Sequence, residues 1–135
     1  MSGFHRAGLE RVNAFPIGER YLFKHYFEGR GVFDRLREYY NNQQYRFEVP
    51  APDFEDLQAF LANEGYALVE VETPEAFAVV VRQYTAHPDN IFKDSVLHRP
   101  VGDYNCFLMT DREAVDRAVD EGARRLTATD LERPF

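Results

Sequence analysis

Between residues 84 and 104 the chain reads YTAHPDNIFKDSVLHRPVGDY and collects His87, Asp89, Lys93, Asp94, His98, Arg99 and Asp103. Histidine titrates near neutrality, and a neighbouring carboxylate can orient an imidazole for proton transfer. His87 and His98, with Asp89 and Asp103 as orienting groups, are therefore the candidate acid–base residues for a hydrolytic or lyase-like reaction. Nothing in the stretch fixes a nucleophile or an oxyanion donor. The plainer reading is a solvated connection bent by Pro88 and Pro100, with Asp89 starting a short helix through Leu97.

The other histidines are His5 and His25. His25 and Glu28 stand three residues apart, which on a helix places both on one face, but two ligands without a second carboxylate–His pair do not make a metal centre. No metal is predicted. Arg46, Glu48, Glu70, Glu72 and Arg82 fall at alternating positions of candidate strands. Paired carboxylates serve acid–base chemistry only where burial raises one pKa, and the nearby arginines make cross-strand ion pairs the simpler account. Cys106 alternates with Tyr104 and Leu108 and reads as a small buried apolar residue. The chain contains no P-loop, GxGxxG, GxSxG or HExxH motif, so no cofactor is predicted.

A second constellation lies in YLFKHYFEGRGVFDRLREYYNNQQYRF, residues 21–47, where rings alternate with basic side chains. Exposed rings along a basic groove would stack on single-stranded nucleic acid. Most of these rings recur at intervals of three and four residues, as a buried helix face requires. Tyr39, Tyr40 and Tyr45 cannot all point inward and flank the polar run Asn41–Gln44. They join Arg35, Arg37, Arg46 and Arg99 as candidate binding residues. RNA is one partner these residues would suit. The pattern of an RNA recognition motif is missing, because FAVVVRQY at 77–84 lacks its glycine, leading basic residue and central ring.

The elements that would position these groups follow from periodicity and punctuation. Leu22, Phe23, Tyr26 and Phe27 predict a helix over 18–28, stopped at Gly29-Arg30-Gly31, and Val32, Phe33, Leu36, Tyr39 and Tyr40 a second over 32–42. YRFEV (45–49) alternates as a strand and ends at Pro50. Asp53 is placed to cap a helix carrying Phe54, Leu57, Phe60 and Leu61, closed by Gly65. Strands 67–72 and 77–84 are predicted to form a hairpin through Thr73-Pro74-Glu75-Ala76. YNCFLM (104–109) is a further strand. Thr110-Asp111-Arg112-Glu113 is a capping box that opens a helix to about residue 126.

The expected class is α+β. Its expected topology is a ferredoxin-like βαββαβ antiparallel sheet with helices packed on it, plus an N-terminal helical hairpin and a C-terminal helix. A single domain spans 1–135, with a helical extension at 1–44, a sheet-forming core at 45–126 and a short tail at 127–135. A chain of 135 residues suits that count.

Composition narrows the setting. The formal net charge is −7, with residues 1–49 at a net +2 and residues 50–135 at a net −9. Diffuse phosphate-backbone binding is disfavoured for the whole chain, and any nucleic-acid face belongs to the first third. The single cysteine rules out an intramolecular disulfide, which agrees with a reducing compartment. No apolar run reaches the ~20 residues of a membrane span, and MSGFHRAGLERVNAFP has no signal-peptide core. The sequence thus predicts a cytoplasmic protein that binds a protein partner or itself and has no catalytic chemistry of its own. An RNA- or ribosome-associated protein and a small His-dependent enzyme are the alternatives.

Overall fold

Arg20–Phe23 is a strand, although Leu22, Phe23, Tyr26 and Phe27 have the spacing of a helix face. The structure, a computed structural model, describes residues 8–135, and His5 lies outside them. The apolar run 20–23 is short enough to satisfy either period, and pairing with strands on both sides decides it. A strand the sequence pattern did not announce, β1 (Glu10–Ile17), lies on one side of β2 (Arg20–Phe23). Gly18 makes the turn between them at φ 64, a conformation that favours glycine. The predicted N-terminal helical hairpin is therefore replaced by a β-hairpin and one short helix, α1 (Arg30–Leu36).

Both helices and sheets are present, as an α+β chain requires, and the chain divides between Glu72 and Thr73 into two compact units. The first unit continues with β3 (Tyr40–Asn41), β4 (Arg46–Pro50), α2 (Phe54–Asn63) and β5 (Tyr66–Glu70). Its five strands lie in the order β3-β4-β2-β1-β5. Neighbours are antiparallel except β1 and β5, because α2 carries the chain back across the sheet to run β5 alongside β1. One sheet face, with Val12, Ala14, Phe23, Phe47, Val49 and Leu68, packs with Val32 and Leu36 of α1 and with Leu57 and Leu61 of α2. Asp53 does not cap α2 with its side chain.

The second unit contains β6 (Ala78–Arg82), β7 (Ser95–Val101), β8 (Tyr104–Met109), α3 (Arg112–Asp120) and β9 (Arg124–Arg125). Its sheet is wholly antiparallel in the order β7-β8-β6-β9. The predicted strands thus fall into two sheets, β4 and β5 in one and β6 and β8 in the other, and the single ferredoxin-like sheet does not form. Residues 74–77 form a 3-10 turn and not a hairpin loop. The expected helix at 89–97 is also absent, since residues from Ser95 pair with β8 as an edge strand. Pro100 is compatible with that position because an edge strand tolerates a residue without an N–H.

A side-chain cap precedes α3, but one residue on from the expected box, because Asp111 and not Thr110 is the capping residue. Its carboxylate accepts a hydrogen bond from the Ala114 N–H at 2.7 Å. The helix ends at Asp120, short of residue 126, and Gly122 at φ 113 turns the chain into β9. Val79, Phe107, Met109, Ala114, Val115 and Ala118 form the core beneath α3, and Cys106 packs on the other sheet face with Ala78, Val80 and Leu126. Burial pushes the Cys106 thiol up to about 12 against the opposing charge of Arg133. A thiol held so far from ionisation is a poor nucleophile. Maleimide labelling of Cys106 in the native protein is expected to run about 100-fold slower than in denaturant, and comparable rates would contradict its burial. Among the described residues, no helix is long and apolar enough to cross a membrane.

Candidate functional site

The aromatic stretch of the first unit divides into two populations. Phe23, Phe27 and Phe47 are buried and contact one another, with ring centroids 5.2 to 6.3 Å apart. Tyr26 is 84% exposed and Phe33 40%. The cause is local. Residues 24–28 have no regular structure, so Tyr26 and Phe27 point to opposite sides, and α1 begins only after Gly29 at φ 92. Phe33 lies on the outer side of α1, opposite buried Val32 and Leu36.

Tyr26 and Phe33, with Phe27, Tyr40, His25 and Arg30, line a groove of about 490 Å³. Tyr40 meets Phe47 edge-on at 4.9 Å and Phe33 at 6.2 Å, linking the exposed rings to the core. His25 pairs with Glu10 and not with Glu28, and its ring packs edge-on against Phe27 and Tyr66. Glu28 and Arg30 flank Gly29 with exposed side chains, and among the described residues neither forms an ion pair.

The predicted binding residues of this unit are mostly engaged within it. Arg46 donates to Glu48 at 2.9 Å and is largely buried. Arg37 pairs with Asp34 at 2.8 Å and lies over the Phe33 ring, and Arg35 lies over Phe60. The Tyr39 hydroxyl donates to Asp53 at 3.1 Å, which gives Asp53 a role other than the expected cap. Burial holds the Tyr39 hydroxyl above the ordinary phenol range, with Asp53 reinforcing that shift and a hydrogen bond from Arg35 opposing it. Tyr39 and Tyr40 line a second, more polar groove of about 600 Å³ with Arg20, Asn41 and Glu48. Tyr45 stands exposed at φ 57 in the turn between β3 and β4.

In the second unit, the structure brings the two candidate catalytic histidines together around aromatic rings. His98 stacks on Phe107 at 4.8 Å, His87 meets Phe107 edge-on at 5.8 Å, and both contact Phe92. It does not bring the candidate carboxylates to them. Asp89 uses its backbone N–H to bond Glu121 at 2.8 Å, and Asp103 lies in the turn between β7 and β8, where its carbonyl accepts from Gln83. Among the described residues, neither imidazole is hydrogen-bonded to a carboxylate, so the geometry does not orient a base there. Arg99 donates to the Pro134 carbonyl and lies over the Phe135 ring. Among the described residues no cluster of three His, Cys, Asp or Glu side chains is placed to hold a metal ion.

Sequence reasoning missed Tyr26, Phe33 and Arg30 as surface residues because the expected helix over 18–28 placed Tyr26 on a buried face. The paired glycines at 29 and 31 were the available signal, since they interrupt any helix that would carry the rings inward. The chain matches no protein-family model, no curated protein and no solved structure.

Proposed function

We propose that the protein is a non-catalytic binding module that pairs with a second copy of itself through the aromatic groove of its first unit. The observation that supports this is the exposure of Tyr26 and Phe33 beside a groove of about 490 Å³, with Glu28 and Arg30 on either side of Gly29. Exposed rings are costly to leave in water and are characteristic anchors of interfaces. A two-fold contact is self-complementary, so residue i meets j while j meets i. Across such an axis Arg30 of each copy would face Glu28 of the other, and the rings would close over one another. A reducing, cytoplasmic setting suits this reading, given a single buried thiol. The RNA reading draws less support, because Arg35, Arg37 and Arg46 are already engaged within the unit.

Sedimentation velocity over a concentration series tests this. The wild-type chain is expected to dimerise, and Tyr26→Ser with Phe33→Ser to weaken association about 100-fold, as the loss of two interface anchors implies. Arg30→Glu should also weaken it, and adding Glu28→Arg should restore it. A wild-type chain that remains strictly monomeric at about 100 μM would overturn the proposal, as would failure of the charge exchange to restore the dimer.

A further inference from the structure

A groove of about 460 Å³ in the second unit is lined by Arg82, Thr85, Tyr104, Glu121, Gly122 and Arg124, among others. Strand register explains why the two guanidinium groups converge. Arg124 is the partner of Val80 across β9 and β6, and Arg82 lies two residues further along β6, so both project from one sheet face as diagonal neighbours. Tyr104 is the β8 partner of Arg82, and the Arg82 guanidinium lies over its ring at 5.9 Å. Two other arginines of this unit are paired with carboxylates, Arg117 with Asp94 and Arg125 with Asp116. Among the described residues, Arg82 and Arg124 have no carboxylate partner, and Arg124 makes only a 3.5 Å contact with the Ala128 carbonyl. The groove's own carboxylate, Glu121, is occupied by the Asp89 N–H at 2.8 Å.

The neighbouring Tyr84 adds an independent observation. It directly precedes Thr85, its side chain is fully exposed, and its backbone sits at φ 67, a left-handed conformation unfavourable for a bulky residue. Strain of that kind, kept at a bare aromatic ring beside a cationic groove, points to use.

We propose that this groove binds a small phosphomonoester carrying an aromatic ring, of nucleoside monophosphate size, with Arg82 and Arg124 holding the phosphate and Tyr84 stacking on the ring. Guanidinium groups present paired donors in a plane that matches phosphate oxygens. A volume of this size falls within the range of small-ligand sites. The site lies in a different unit from the self-association groove and stands or falls separately from it.

Calorimetric titration of the full chain with AMP, inorganic phosphate and adenosine is the test. AMP is expected to bind, phosphate more weakly, and adenosine more weakly than AMP. Arg82→Gln and Arg124→Gln should each weaken AMP binding about tenfold or more, the loss expected for one charge-assisted contact. Tyr84→Ser should weaken AMP about tenfold and leave phosphate unchanged. In the unsubstituted protein, AMP should shift the amide resonances of Arg82, Thr85, Gly122 and Arg124, a readout independent of how the variants fold. Absence of AMP binding, equal binding of adenosine and AMP, or resonance shifts confined to other residues would overturn the assignment.

Discussion

Replacing Phe47 by Ala is expected to cost about 3–5 kcal/mol of stability, the range for deleting a fully packed ring. Phe47 is 3% exposed and makes ring contacts with Phe23, Phe27 and Tyr40. It sits on the interior strand β4 with β2 on one side and β3 on the other, so the void would open where three strands and α1 meet. Most of that loss is contact energy that the surrounding backbone cannot recover by collapsing, because its strands are fixed by pairing. Phe33→Ala, in the same stretch and of the same chemistry, is expected to change stability by under about 0.5 kcal/mol at a concentration too low for self-association, as for a surface residue. Urea denaturation of the two variants measures the contrast. Equal losses would mean that the separation into buried and displayed rings is wrong, and the proposed contact surface with it.

The second large effect concerns Glu48, whose carboxylate is the hub of a hydrogen-bonded network on the opposite face of the same strand. It accepts from Arg46 at 2.9 Å, from Asn41 at 3.0 Å and from Arg20 at 2.9 Å, with its side chain 13% exposed. Burial alone would raise its pKa. The hydrogen bonds from Arg46 and Asn41, together with the charges of Arg46 and Arg20, outweigh that and hold Glu48 below the ordinary carboxylate range. A carboxyl whose pKa is depressed by folding stabilises the native state above its unfolded pKa, and the contribution disappears as pH falls through the folded value. Glu48→Gln is therefore expected to cost about 1.5–3 kcal/mol at neutral pH, the range for hydrogen bonds to a charged group. The gap to wild type should narrow on acidification, because protonated Glu48 comes to resemble the amide. Denaturation curves of both proteins from neutral pH into acid check this, and a pH-independent gap would contradict it.

The same two residues show how much the sequence disclosed. The alternation of Arg46 to Val49 was legible because Pro50 ended it and the polar and apolar positions were strictly interleaved. The expected cross-strand ion pairs among Arg46, Glu48, Glu70, Glu72 and Arg82 are not what forms. Arg46 pairs with Glu48 along one strand, Arg20 reaches Glu48 from β2, and Arg82 lies in the other sheet. The start of α3 and the apolar face of α2 were legible for similar local reasons, although the cap falls on Asp111 and not on Thr110. β1 was not, because Asn13 and Pro16 break its alternation and its partners, β2 and β5, lie on either side in space, one of them more than forty residues away. The start of β7 is not distinguishable from a helix in sequence, since DNIFKDSVL carries apolar residues at both periods. The division of the strands into two sheets depends on pairings that no local pattern encodes.

At the candidate sites, residue type was informative and placement was not. Tyr39, Tyr40 and Tyr45 were identified because a helix could not bury all of them, and two of them do line a groove. Arg35, Arg37 and Arg46 were identified by charge, yet their internal partners, Phe60, Asp34 and Glu48, become visible only once the chain is folded. His87 and His98 lie against the same ring, Phe107, while neither is hydrogen-bonded to the carboxylates meant to serve them.

Pro100 has a consequence for the protein at high concentration. A sheet grows into a fibril when its outermost strand offers an uninterrupted row of donors to an incoming chain. On β7 that row has a missing donor at the proline, and at the opposite rim β9 is only two residues long. Strand-upon-strand polymerisation of the second unit thus lacks a template at either margin, which leaves its exposed rings free of that hazard.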